Sequence, residues 1–384
     1  MRRKILFFIE SLAGGGAEKV LVTLLKKLNL SNYDIQLVTL VDTGIYLNDI
    51  KNLDISYTSI LGTGKGNFLQ RIKYKINYKL MYNYLPPKYV YNIYLPKKSD
   101  VEVAFVEGYA TKILSASSNK KALRVAWVHT DLMENAWPLQ QRIYKNWEEE
   151  KKVYQIFNKV VCVSDSVKKV MISYYGLNNV VRIYNIVDSE IIKDRSLEKT
   201  NLSINKNVFN MISIGRLVPQ KGYDRLIKIC VMLRDELEVR FRLYLIGEGE
   251  ECDNLQSLIL KNKLGEYVTL LGFKKNPYIY LAQMDLFVCS SRCEGYSLAI
   301  AESMVLGIPV VSTDCSGPNE LLAFGKYGLL CENTENGLYK ALKQLMTNKN
   351  MLLKYKLLSQ ERGKMLNVDS LLRDVDNLFR KNVI

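Results

Sequence analysis

Compact apolar runs alternate, along the first half of the chain, with segments whose apolar positions recur every three to four residues. KILFFIE, YDIQLVTLVD, VEVAFVEG, ALRVAWVHT and KVVCVSD are such runs, and AEKVLVTLLKKL is the helical segment between the first two. Short apolar runs without polar alternation indicate strands covered on both faces, the pattern of parallel sheets with crossover helices. After Asn185 the rhythm restarts with FNMISIGRL, RFRLYLIGEG, YVTLLGF, LFVCSS and IPVVSTD, interleaved with helical stretches such as GYDRLIKICVML, CDNLQSLILKNKL and SLAIAESMVLG. The pattern predicts an α/β protein of two doubly wound, Rossmann-like domains in series. Their boundary is expected in IYNIVDSEIIKDRSLEKTNLSINKN, where apolar order gives way to charge and Asn/Ser. The domains are then residues 1–186 and 187–366, and residues 367–384 form a helix expected to return to the N-terminal domain.

Composition narrows the class without changing the architecture. A chain of 384 residues suits two domains of about 150–200 residues. Its 48% apolar and 24% charged residues are those of an ordinary globular protein. Arg2, Arg3 and Lys4 precede an apolar run that breaks at Glu10, short of the roughly 7–15 residues of a secretory signal. No window approaches the roughly 18 apolar residues of a membrane span, so a cytoplasmic location is expected. Seven cysteines, scattered without a CxxC pair, and a single histidine argue against a Cys/His zinc site and for small buried side chains in a reducing compartment. The net charge of +15 is uneven: residues 1–190 hold 27 Lys+Arg against 17 Asp+Glu, and the remainder 27 against 22. An acidic partner is expected to meet the N-terminal half.

The candidate chemistry gathers in CEGYSLAIAESMVLGIPVVS. Glu294 falls in the loop after strand LFVCSS and Glu302 inside the helix that follows, with Gly307 as its stop. The amides of Gly295, Tyr296 and Ser297 are expected to crown the helix start, an anion site at the carboxyl end of a parallel strand. Two carboxylates suit the hydroxyls of a ribose and a hexose, but they repel a phosphate unless cations offset them. Arg216 and Lys221 in SIGRLVPQKGYDRLI supply those cations on the same strand ends. His129 ends the run ALRVAWVHT, ahead of Thr130 and Asp131, and is placed in a cleft rather than the core.

Other motifs are weaker. In GGGAEKV after the first strand, Lys19 stands where GxGxxG needs its third glycine, and an NAD-dependent oxidoreductase leaves Arg216, Lys221 and both glutamates without a task. LGTGKGN lacks the GxxxxGK[ST] spacing of a phosphate loop and reads as a turn. Asp374-Val375-Asp376 lies in a charged terminal helix and reads as a solvated face, not a metal motif. A basic nucleic-acid-binding module is the alternative that the charge suggests, yet no helix-turn-helix, zinc-finger or RNP pattern accompanies it.

Taken in order, SLAGGGAEKV, His129 in AWVHTD, NIVD at 185–188, GRLVPQKG, LIGEGEE, LLGF, and EGYSLAIAE followed by GIPVVSTDCSGPNELL resemble, over essentially the whole chain, a family 4 glycosyltransferase. Such enzymes are retaining and have the GT-B fold, two Rossmann-like domains facing each other across a cleft. The resemblance implies an N-terminal acceptor-binding domain and a C-terminal nucleotide-sugar-binding domain. By it, Arg216 and Lys221 hold the donor diphosphate, Glu302 the nucleotide ribose and Glu294 the donor sugar. Gly15 and Gly16, in the Gly14–Gly16 loop, approach the diphosphate, and His129 sits by the donor sugar and acceptor. The members most similar build bacterial capsule, exopolysaccharide or O-antigen units. A hexose or N-acetylhexosamine is thus expected to pass from a UDP-linked donor to a growing glycan on polyprenyl diphosphate. No cofactor, metal or nucleic acid is expected.

One segment stands outside that scheme. Residues 65–98 contain eight Lys/Arg, eight aromatics and no acid. Tyr74, Tyr78 and Tyr82 share one helical face and fit either packing on the N-terminal domain or rings at headgroup depth. Peripheral attachment to the inner, anionic face of the cell membrane through this stretch is expected.

Overall fold

The computed structural model describes residues 2–199, 204–366 and 368–380; position 367 and positions 381–384 of the expected C-terminal segment lie outside them. Two compact units are present, one of residues 1–186 with 369–384 and the other of residues 187–368.

The first unit holds a seven-stranded parallel sheet: β1 (Arg3–Ile9), β2 (Tyr33–Thr39), β3 (Ser56–Ser59), β4 (Val101–Ala104), β5 (Leu123–Val128), β6 (Lys159–Cys162) and β7 (Val180–Arg182). Their order is β3-β2-β1-β4-β5-β6-β7. The second unit holds β8 (Phe209–Ile214), β9 (Phe241–Ile246), β10 (Val268–Gly272), β11 (Leu286–Cys289), β12 (Val310–Thr313) and β13 (Leu329–Cys331), in the order β10-β9-β8-β11-β12-β13. Each sheet reverses its winding beside its first strand, where β4 and β11 lie against β1 and β8. Crossover helices diverge there and leave a crevice at the strand carboxyl ends.

The apolar runs are strands because both faces are covered: Ile5 to Phe8 and Val101 to Ala104 are buried without alternation. Three strands carry no such run, β3, β7 and β13. All three are sheet edges of three or four residues, half-exposed, with one neighbour instead of two. An edge strand needs no two-sided apolar cover.

The Val368–Arg380 helix belongs to the first unit by chemistry as well as by chain path. Val375, Leu378 and Phe379, at i, i+3 and i+4, are its buried residues, and Phe379 packs edge-on against Phe7 and Tyr33 with centroids 5.9 and 6.1 Å apart. Burying one Phe side chain contributes roughly 1.5–3 kcal/mol. Asp374-Val375-Asp376 is therefore not simply a solvated face. Val375 is fully buried, and Asp376 accepts from the Tyr33 hydroxyl and pairs with Arg380 at 2.6 Å.

The basic aromatic segment forms the helices Phe68–Asn83 and Pro87–Tyr94. The first starts at a capping box: Gln70 N–H donates to the Asn67 side chain at 2.9 Å, and Asn67 N–H to the Gln70 side chain at 3.0 Å. Tyr74, Tyr78 and Tyr82 turn inward and stack, with Tyr82 lying on Tyr109 at 4.7 Å. Those three rings are therefore not at headgroup depth. Leu69, Ile72, Ile76 and Leu80 take the outer face, all exposed. Among the cysteines Cys162, Cys230, Cys289 and Cys315 are buried as expected, whereas Cys252 is exposed.

Candidate functional site

In the second unit the loops after β8 and β11 meet at the crevice. Lys221 closes the Pro219–Lys221 turn after β8, and its ammonium pairs with a carboxylate oxygen of Glu294, in the loop after β11. The two side chains are 20% and 12% exposed. Ser291 Oγ donates to the same oxygen at 3.2 Å. Burial disfavours the Lys221 charge, but the facing Glu294 carboxylate, with smaller help from Tyr223 and Cys289, raises its pKa above the ordinary lysine value. Arg216, five residues earlier, is exposed, and its guanidinium has no side-chain partner among the described residues. One cation is thus fixed by a carboxylate, and the other is free for an anion.

The two loops are bound to each other by groups that pattern reading missed. Arg292 N–H donates to the Gln220 carbonyl at 2.7 Å, and the Gln220 side chain donates to the Cys293 carbonyl at 3.0 Å. Ser290 Oγ donates to the Lys221 carbonyl at 2.8 Å. Below them lies Arg225, 5% exposed, whose Nη2 donates to the carbonyls of Ser290 and Ser291 and to Asn333 Oδ1 at 2.6–2.7 Å. Burial lowers its pKa, and the carbonyls just after β11 compensate the charge. Its one signal in the sequence is an arginine beside Leu226 and Ile227, both fully buried.

The helix after Glu294 spans Leu298–Val305 and is capped by Ser297, whose side chain accepts from Ile300 N–H. Gly295, Tyr296 and Ser297 stand directly ahead of its first turn. The Gly295 and Tyr296 amides lie in the loop that leads into it. That loop is held by Gly317 N–H and Ser316 Oγ, which donate to the Glu294 carbonyl at 2.8 and 3.1 Å. A Cβ on Gly317 would stand 2.6 Å from the Gly295 carbonyl, so the approach requires glycine. Glu302 is 3% exposed, one turn into the helix, with Oε1 3.5 Å from the Tyr278 hydroxyl. The Glu294 side chain is 12% exposed and Glu302 3%, so both carboxylates are largely enclosed.

In the first unit, Gly15 caps the Gly16–Lys27 helix after β1, and Gly14 adopts φ +121°, a conformation open to glycine. His129 follows β5. Its backbone N–H donates to Glu107 Oε2 at 3.0 Å, and Nε2 lies 3.0 Å from the Phe105 carbonyl. A carbonyl accepts only, so Nε2 carries the proton, and Nδ1 is a buried lone pair without a partner. Burial lowers the pKa, against the Glu107 charge and the Phe105 bond, and keeps the ring neutral at pH 7. Glu107, 2% exposed, also accepts from Trp137 Nε1 at 3.3 Å. His129 is therefore satisfied on one nitrogen only. No group of three or more His, Cys, Asp or Glu among the described residues is placed to hold a metal ion.

Known proteins match both halves. The model described as Glycosyltransferase Family 4 matches residues 14–191, and that described as Glycosyl transferases group 1 matches residues 194–361. The N-acetylgalactosamine-N,N'-diacetylbacillosaminyl-diphospho-undecaprenol 4-alpha-N-acetylgalactosaminyltransferase of Campylobacter jejuni is 28% identical over 97% of this chain and 98% of its own. Anabaena Alr3699/HepE, solved with UDP and glucose, superposes with a TM-score of 0.74 at 18% identity, covering 98% of this chain and 99% of its own. A variant of Staphylococcus aureus TarM, solved with Fondaparinux, alpha-GlcNAc-glycerol and UDP, gives 0.74 at 15%, covering 99% and 100%. At these identities the two structures establish the likeness of fold.

Proposed function

The chain belongs to the GT-B glycosyltransferases of polysaccharide biosynthesis, and from that premise we propose that it transfers a hexose or N-acetylhexosamine, with retention, from a UDP-sugar to a lipid-linked glycan. The observation that carries the reading is the Lys221–Glu294 pair beside the unpaired Arg216, at the point where the second sheet reverses its winding. The UDP held by the Anabaena and S. aureus proteins supports a uridine donor. The diphospho-undecaprenol in the name of the C. jejuni enzyme supports a polyprenyl-linked acceptor.

In this reading the bond from the anomeric carbon to the β-phosphate oxygen breaks, and the acceptor oxygen bonds to that carbon on the same face. The acceptor proton leaves on the departing diphosphate, so no protein nucleophile is assigned. Negative charge grows on the leaving group, and Arg216 and Lys221 bind it more strongly in the transition state than in the ground state. Glu294 holds Lys221 in place before the donor arrives and accepts from a donor-sugar hydroxyl; Glu302 accepts from the ribose. His129 Nδ1, aprotic and unpartnered, is suited to accept from a sugar hydroxyl.

The acceptor's lipid requires a surface, and no helix among the described residues is long and apolar enough to cross a membrane. The outer face of the Phe68–Asn83 helix supplies one. Leu69, Ile72, Ile76 and Leu80 form an exposed aliphatic stripe between exposed Arg71, Lys73, Lys75 and Lys79. An apolar face flanked by cations fits the interface of an anionic bilayer, and docking on the inner leaflet follows from it.

The test is a panel of nucleotide sugars scored for hydrolysis and for thermal stabilisation of the protein. A UDP-sugar that stabilises the wild type and is hydrolysed supports the reading. Preference for another base, or no stabilisation by any donor, overturns it.

A further inference from the structure

A cavity of about 410 Å³ opens in the first unit where β1 and β2 end. Glu10 and Ser11 line it from the end of β1, Thr43 from the loop after β2, and Tyr74, Lys75 and Tyr78 from the Phe68–Asn83 helix. Its volume is within the roughly 300–1,000 Å³ of small-molecule sites. Of these six residues only Lys75 has a task assigned above, in membrane docking.

The walls select the occupant's chemistry. The Tyr74 and Tyr78 rings are the outer members of a stack that continues through Tyr82 to the buried Tyr109, so their orientation is set from the core outward. Glu10 sits at the inner end. The carboxylate accepts from Tyr109 N–H at 3.3 Å and from the Tyr82 hydroxyl, and of its roughly four lone-pair sites the remainder serve a ligand. Burial, together with Glu18 and Glu107 nearby, raises its pKa to about 7, against the Tyr109 and Tyr82 contacts. A diphosphate in this cavity would face the Glu10 carboxylate with Lys75 as the one cation in the lining, too little positive charge to offset both. A hydrocarbon would strand the Glu10 carboxyl and the Ser11 and Thr43 hydroxyls without water, which is costly. A neutral polyol with an apolar C–H face satisfies both walls: its face lies on a tyrosine ring and its hydroxyls donate to Glu10.

We propose that this cavity binds one pyranose ring of the acceptor glycan, stacked on Tyr78 and Tyr74 and hydrogen-bonded to Glu10, Ser11 and Thr43. The inference rests on the glycosyltransferase reading and deepens it, by giving the acceptor a sugar-specific pocket within the first unit.

Saturation-transfer NMR on the full chain tests it, with the methyl glycosides of glucose, galactose and their N-acetyl forms as probes and geranyl phosphate as a comparison. At least one glycoside should give a saturable signal concentrated on the ring protons of one face. Glu10→Gln and Tyr78→Leu should each weaken that binding by about tenfold. Tyr74→Leu, at the rim, should weaken it too and covers the case in which Tyr78→Leu does not fold, as judged by its melting temperature. Absence of a glycoside signal from the wild type, or affinities unchanged in the folded variants, overturns the proposal. So does a geranyl phosphate signal that the same variants abolish, since the occupant is then the isoprenoid. UDP-induced thermal stabilisation, read on the same samples, keeps the two readings apart. Stabilisation by UDP without glycoside binding removes the pocket assignment alone, and glycoside binding without it removes the donor assignment alone.

Discussion

Replacing Gly363 by alanine tests how tightly the helix that carries Glu302 is held. Gly363 lies on the Lys349–Met365 helix against the Leu298–Val305 helix, and a Cβ there would stand 2.2 Å from the Met304 carbonyl oxygen and 2.9 Å from the Val305 Cα. Ordinary contact begins near 3.4 Å, so the helices must separate by about 1 Å. Both obstructing groups are backbone, and no rotamer change relieves them. Overpacking of this kind costs about 1–3 kcal/mol, whereas alanine returns at most about 1 kcal/mol of helix propensity relative to glycine. The clash wins, with a net loss of roughly 1–2 kcal/mol. For a unit of this size that is a fall of roughly 2–8 °C in melting temperature. Glu302 lies two residues before Met304, so the displacement moves its carboxylate as well, and stabilisation by UDP should shrink. Gly265→Ala is the control, because no atom lies within 4 Å of its would-be Cβ. Differential scanning fluorimetry with and without UDP reads both effects. A Gly363→Ala protein that melts at or above the wild type, with UDP stabilisation intact, would show that the two helices are not held in close contact at this position.

Other expectations follow from the same geometry. Arg216→Ala and Lys221→Ala should lower kcat by about 10- to 150-fold, the loss of a charge-assisted contact of roughly 1.5–3 kcal/mol, while Glu302→Ala should act on donor binding; a change in kcat/KM below about twofold for Arg216→Ala would remove it from the site. Transfer should survive excess EDTA, because fixed cations take the metal's place at the diphosphate; loss restored by magnesium or manganese contradicts this. Substituting Arg71, Lys73, Lys75 and Lys79 by Ser should release the protein from phosphatidylglycerol vesicles at physiological salt, whereas equal sedimentation of variant and wild type, or none of either, would dismiss the docking face. Glu150, 1% exposed, has its pKa raised to about 7 by burial, with Glu107 adding to and the Tyr175 hydroxyl opposing the shift. A folded pKa above the unfolded 4.5 means that the native state holds the extra proton, so stability falls as pH rises from about 4.5 through 7. The penalty is on the order of 3 kcal/mol above that range. Glu150→Gln should therefore gain on the wild type in urea melts between pH 5.5 and 8, and a pH-independent difference would count against the buried charge.

What the chain settles by itself is what a short window can hold. An unbroken apolar run such as KILFFIE already states that both faces are covered, and the alternation with helical periods states that the strands are parallel; together these determine the two Rossmann-like units. The edge strands β3, β7 and β13 escaped because half-exposed residues with one neighbour carry no such run. Lys221 and Glu294 were legible as candidates, each from the strand before it. Their pairing was not, since it joins positions 73 apart through the lateral contact of β8 and β11. Arg225 looks like one more surface cation until Ser290, Ser291 and Asn333 are folded around it. Periodicity placed Tyr74, Tyr78 and Tyr82 on one face of a helix, and only the neighbouring Tyr109 decided that this face turns inward and leaves Leu69, Ile72, Ile76 and Leu80 outside. Periodicity is a property of one element, while burial and charge pairing belong to the contact between two, and that contact exists only once the sheet has assembled.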